Sequence, residues 1–140
     1  MIIDAQTRFS DNQAVTTGTQ YSTNALDLLA SATNLGIGAP RRVVAQVTTA
    51  FAGGTSLKAD YVQSDNADLS SPDVLVGGST VVEASLVAGA KLLDVVAPSN
   101  TKRYVGIRYT TVGTHTAGAV FAGIVSETDH NTYPPANTGY

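Results

Sequence analysis

The sequence predicts an all-β protein of antiparallel sheets, and three observations predict it. Turn signals recur about every ten residues, the spacing of a sandwich or a barrel. Between them, apolar and polar residues alternate with the period of two that a half-buried strand requires. No stretch of ten or more residues carries a convincing helical period. Composition agrees. Only 14% of the 140 residues are charged, against roughly 25% in an ordinary domain. Threonine, serine, asparagine and glycine fill the difference, as strand faces and turns demand.

The elements follow in order within one domain. Residues 1–12 read as an arm. Ile2 and Ile3 are apolar, but Asp4, Arg8, Asp11 and Asn12 break any period, and such a segment is loosely ordered unless tied down. Residues 13–128 form the sandwich. Short strands are expected at 14–17 and 23–29. The run Ala25-Leu-Asp-Leu-Leu-Ala-Ser-Ala32 could also make a helical turn, but Gly36 and Gly38 follow soon after and favour strand. Residues 34–40 are a loop, and their Gly-x-Gly leads into a strand rather than a helix, which argues against a phosphate-binding loop.

Residues 41–51 are the clearest strand. Val43, Ala45, Val47 and Phe51 share one face; Arg42, Val44, Gln46 and Thr48 share the other. Gly53-Gly54 suits a tight hairpin turn. The chain returns through 57–63, with Leu57, Ala59 and Tyr61 inward and Lys58, Asp60 and Ser64 outward. Residues 64–73 are polar and acidic and read as a connection that crosses between sheets; their acids lack the calcium-loop pattern. Strands follow at 74–76, 80–86 and 92–97, with Glu83 on the wet side opposite Val82, Ala84 and Leu86. Residues 103–125 read as a β-hairpin. Val105, Ile107 and Tyr109 face the core, Tyr104, Arg108 and Thr110 face away, and a glycine-bounded loop around His115 joins the two strands. Residues 129–140 form an extended polar tail that Pro134-Pro135 bars from a central strand. Tyr133 and Tyr140 are suited to anchoring that tail on a neighbouring surface.

Charge and residue usage exclude several functions. The net charge is −3, with no basic footprint for nucleic acid. Arg41-Arg42 and Lys102-Arg103 read as charged strand ends. The absence of cysteine removes disulfides and thiolate metal sites. No secretory signal is expected, since Asp4 interrupts the start, and no segment approaches the ~18 consecutive apolar residues of a membrane span. Two histidines, His115 and His130, both look exposed and neither sits in a nucleophile motif. No carboxylate pair stands out for hydrolysis. No catalytic residue, cofactor or metal is therefore expected, and a structural or binding module fits better than an enzyme.

The opening Met-Ile-Ile-Asp-Ala-Gln-Thr-Arg-Phe-Ser-Asp-Asn-Gln-Ala, the step from Ser22-Thr23-Asn24 to Asp27-Leu28, and Arg103-Tyr-Val-Gly-Ile-Arg-Tyr with the later Ala117-Gly118 resemble the Bbp16-type capsid cement proteins of tailed bacteriophages. The resemblance covers most of the chain in order, except residues 65–89. It implies a jelly-roll-like β-sandwich on the outside of an icosahedral head. There it would bridge copies of the phage major capsid protein, as a homo-oligomer (dimer or trimer), touching neither nucleic acid nor membrane. Made in the host cytoplasm, it would end on the virion surface. The contact candidates are Ile2, Ile3, Arg8 and Phe9 of the arm, His115 of the loop, and Tyr133 and Tyr140 of the tail. Two competing classes remain. A receptor- or carbohydrate-binding sandwich of a phage fibre would want exposed aromatics, and the chain has no tryptophan. A small β-barrel enzyme would need a cleft with perturbed carboxylates.

Overall fold

The segments at 42–52, 56–64 and 104–112, where alternation is least interrupted, become long strands. The computed structural model describes residues 3–28 and 41–125. Its strands are β1 (Ile3–Ala14), β2 (Thr19–Tyr21), β3 (Leu26–Asp27), β4 (Arg42–Ala52), β5 (Ser56–Ser64), β6 (Asp73–Gly77), β7 (Val81–Val82), β8 (Lys91–Val96), β9 (Tyr104–Val112) and β10 (Ala117–Val125). They form two antiparallel sheets. One has the order β1-β10-β4-β8; the other has the order β2-β9-β5-β6, with β3 also on β9 and β7 also on β5.

The sheets pack as a sandwich on the predicted inward faces. Val43, Ala45, Val47 and Phe51 of β4 meet Leu57, Ala59 and Tyr61 of β5 and Val105, Ile107 and Tyr109 of β9 in one core. Leu92 and Leu93 of β8 and Val120, Ala122 and Ile124 of β10 complete it. The Tyr109 hydroxyl, on one sheet, lies 2.8 Å from the Ser10 hydroxyl on the other, so the one buried phenol at this point is partnered, as burial requires.

Three connections differ from expectation. Residues 103–125 are not a hairpin: β9 pairs with β5, β2 and β3, while β10 pairs with β1 and β4. Residues 53–55 likewise carry the chain from β4 in one sheet to β5 in the other. Both are arches over the edge of the core. Conversely, residues 65–72 join β5 to its own neighbour β6 and cross nothing. The alternation is identical in both cases, because each strand keeps one face inward whether its partner lies beside it or across the core. The turn itself carries the difference. A two-residue type I′ hairpin needs positive φ at both central residues, and Gly53 has φ 87° while Gly54 is not in that region.

The N-terminal arm is also corrected. It is β1, an edge strand paired along β10, with register shifts between Ile3 and Arg8, Arg8 and Ser10, and Ser10 and Gln13. The first puts three extra residues on β1 and the other two put one each, and every odd insertion flips which residues face inward, which is why no period shows in the sequence. The expected strand at 14–17 is not formed: Ala14 ends β1, residues 15–18 are a connection, and β2 follows only at 19–21. Of the expected strand at 23–29, the described residues keep only β3. The expected strand at 80–86 is only β7, after which Glu83–Ser85 make a 3-10 turn. Val81, not Val82, packs against the core there.

The outer face of the second sheet is partly covered. Leu69, at φ 61°, folds back over Gly106 of β9, where a side chain would collide with it. The Ser64 hydroxyl donates to the Ser70 carbonyl at 2.6 Å, which closes this loop on its own strand. Ser64, expected on the wet face, is therefore buried, and Asp60, also expected there, is buried beside Arg108.

At the start of β10, Gly118 has φ 136°, and a Cβ there would run into the Phe51 ring. Gly118→Ala is expected to cost about 2–3 kcal/mol, from strain at positive φ and overpacking together. A urea melt at unchanged m-value checks it.

Candidate functional site

The sandwich has two ends with different chemistry. At one, the connections 15–18, 53–55, 83–90 and 113–116 come together. The Thr16 carbonyl accepts from the His115 N–H at 2.8 Å, the Ala52 carbonyl from Thr116, the Val112 carbonyl from Thr55, and the Thr55 carbonyl from Glu83. Four loops are thus stitched by backbone bonds into one surface.

His115 is the plug of that surface. Its ring sits where a side chain on Gly54 would be and meets Phe51 edge-on, with ring centroids 4.9 Å apart. Its Nε2 donates to the Ser56 carbonyl at 3.3 Å, and its Nδ1 meets no hydrogen-bond partner among the described residues. With 2% of its surface exposed, this histidine is interior. The expectation of an exposed loop histidine that touches a neighbour is corrected. A general base must reach its substrate's proton, and this ring lies beneath its own loop.

Exposed around it are Thr16, Thr17, Thr55, Thr114 and Thr116. Three of the five exposed large hydrophobics among the described residues also lie here: Val82 at 58%, Val87 at 55% and Val112 at 55%. Val82 and Val112 flank Ser56 in one cross-strand row. On the four loops the only carboxylate is Glu83, and there is no lysine or arginine. The first lysines, Lys58 and Lys91, come only on the strands.

The opposite end, with residues 65–72 and 97–103, is charged and self-neutralised. Lys102 reaches Asp73 at 2.9 Å and Asp65 at 3.4 Å, and the hydrogen bond it donates to the Asp73 carboxylate leads in raising its ammonium above the ordinary value. Arg103 grips Asp27 through Nε and Nη2, at 2.8 and 2.7 Å, and lies over the Tyr104 ring. Gln63 clamps the 97–103 loop by accepting from the Thr101 and Lys102 N–H groups. The basic pairs expected at strand ends are thus partly spent on internal ion pairs.

On the outer face of the second sheet, Asp60 is bound by Arg108 at 2.8 Å, Lys58 at 3.2 Å and the Gly78 N–H at 3.1 Å. Burial pushes its carboxyl up, but the Arg108 and Lys58 bonds and the Gly78 N–H outweigh it, and the group stays below the ordinary carboxylate range.

The arm candidates separate. Phe9 is fully buried in the core, 6.1 Å from the Tyr61 ring centroid, so its expected role as a surface contact is corrected. Arg8 is half-exposed and pairs with Asp11 at 3.2 Å. Ile3 pairs through its backbone with Val125. Ile2, Tyr133 and Tyr140, like His130, lie outside the described residues. Sequence reasoning missed Gln13, which accepts from Ser10 and from the Thr23 N–H and donates to the Tyr21 carbonyl. Nothing in a lone glutamine among polar neighbours marks such a clamp. Among the described residues no group of three or more His, Asp or Glu is placed to hold a metal ion, and no helix is long and apolar enough to cross a membrane.

Comparison with known proteins places these features. The family model described as Bbp16 matches residues 9–124, a span that takes in β2 to β9 whole, the second half of β1 and β10 up to Ile124. No curated protein matches the chain.

Proposed function

This chain belongs to the Bbp16 family, and from that membership we propose that it is a structural protein of a bacteriophage virion. In this reading it is a capsid cement protein on the outer surface of an icosahedral head, where it bridges major capsid proteins. The family match over residues 9–124 carries the reading. The fold supports it. With β2 and β3 in one lane and β6 and β7 in another, the orders β1-β10-β4-β8 and β2-β9-β5-β6 make two four-lane sheets joined by arches, an arrangement that supports the jelly-roll reading. Such a protein acts without catalysis: its partner is the capsid shell, and its own copies associate as a dimer or trimer on that lattice.

The mechanism is multivalent. Each contact with one capsid subunit can be weak, because a second contact from the same molecule forms at high effective concentration. A stiff sandwich suits this task, since little flexibility is lost on docking. Purified virions test the assignment. The protein should appear in them at a copy number that scales with the capsid protein, and antibodies against it should label intact heads. Its absence from virions, or labelling only of opened heads, would reject the external role.

A further inference from the structure

We propose that the cation-free end of the sandwich, formed by residues 15–18, 53–55, 83–90 and 113–116 with Glu83 as its one charge, is the face that seats on the capsid shell, against a protein surface that is itself largely uncharged. The proposal rests on the capsid reading above. Three observations carry it. Charge is divided between the ends: these four loops hold Glu83 and no lysine or arginine, while the opposite end carries the ion pairs of Lys102 and Arg103. Exposed valines gather at the same end, with Val82, Val87 and Val112 all more than half exposed. And the end is preformed, since backbone bonds join its loops and His115 fills the space beneath Gly54, so docking costs little ordering.

The chemistry selects the partner. Phosphate, whether of nucleic acid or of lipid, calls for cations, and these loops have none. Sugar recognition calls for an exposed ring, and the rings here, Phe51 and His115, are 5% and 2% exposed. A partner that placed an anion against this end would bury it without a counter-charge, which is strongly unfavourable, and a partner cation would meet only Glu83. What remains is a largely uncharged protein surface that covers the valines and satisfies the threonine hydroxyls.

The experiment uses the full-length protein and capsid shells that lack it, with binding measured by co-sedimentation. Val82→Lys, Val112→Lys and Thr114→Lys place one charge each on exposed positions, so thermal melting should stay at the wild-type temperature. Each should weaken shell binding about tenfold or more. Ser99→Lys, at the charged end, should change it less than about twofold. Wild-type binding should also hold nearly constant between about 0.05 and 0.5 M salt, because no charges are neutralised in it. If wild type binds and the three lysine variants bind equally well, or if binding falls steeply with salt, this face is not the seat. If wild type itself does not bind, the capsid reading fails first and takes this proposal with it.

Discussion

Phe9→Ala is expected to lower the stability of the protein by about 3–5 kcal/mol, the usual cost of truncating a buried phenylalanine. The ring is fully buried and packs beside Tyr61, so it bonds the edge strand β1 to the opposite sheet. For a chain of this size the melting temperature should fall by roughly 10 °C or more. The result separates two views of the N terminus. A loose arm that reaches a neighbour would lose partner binding on this change and keep its melting temperature. A core strand loses stability first. Deleting residues 1–12 is for the same reason a folding experiment. It removes most of β1, with the Ser10 partner of Tyr109 and the Arg8 and Phe9 carbonyls that hold Asn24.

Arg108→Met is expected to cost about 2–4 kcal/mol near neutral pH. Removing one partner of a buried ion pair leaves the other charge uncompensated, and the figure stays at the lower end because the Arg108 side chain is 26% exposed and so partly screened. Asp60 would keep Lys58 and the Gly78 N–H, with its carboxyl 1% exposed. The pH dependence identifies the cause. In the wild type the Asp60 carboxyl lies below its ordinary value of 3.8: burial raises it, and the bonds from Arg108, Lys58 and Gly78 more than offset that. A lowered carboxylate contributes stability that is present above the ordinary value and is lost as pH falls through the folded one. The wild type should therefore lose stability below pH 3.8, where the difference from Arg108→Met should narrow. A difference that stays constant from pH 7 to pH 3 would show that Arg108 matters through its packing and not its charge. Guanidinium would mask this, so urea melts are the measurement.

These two residues also show what could be read from the chain. Arg108 and Asp60 sit on strands whose alternation is unbroken, and both faces of β4, β5 and β9 follow from the period of two. Leu57, Ala59 and Tyr61 are in the core as expected, as are Val105, Ile107 and Tyr109. Phe9 sits on a strand interrupted by three register shifts, so its inward direction has no local signature. The outward faces were legible as faces but not as exposure. Asp60 and Ser64 point away from the core and are nonetheless buried, because Arg108 and the 65–72 loop cover them from elsewhere in the chain.

Strand partners were less legible still. An arch and a hairpin share the same pattern, and the choice between them depends on pairings far apart in sequence, such as β10 with β1 and β4. The same holds at the cation-free end. His115 reads as an exposed loop residue because its neighbours are threonine and glycine, yet its contacts are Phe51, Gly54 and Ser56, some sixty residues earlier. The absence of lysine and arginine from the four loops was present in the sequence all along. It gained meaning only once the topology brought those loops to one end.

Return of the protein to heads that lack it tests the central claim most directly. DNA-filled heads without this protein should release their DNA at a lower temperature than complete ones, and adding the purified full-length chain should bind in fixed proportion to the capsid protein and restore the higher release temperature. Heads that bind none of the added chain, or that bind it and rupture at the unrestored temperature, would contradict a cement role.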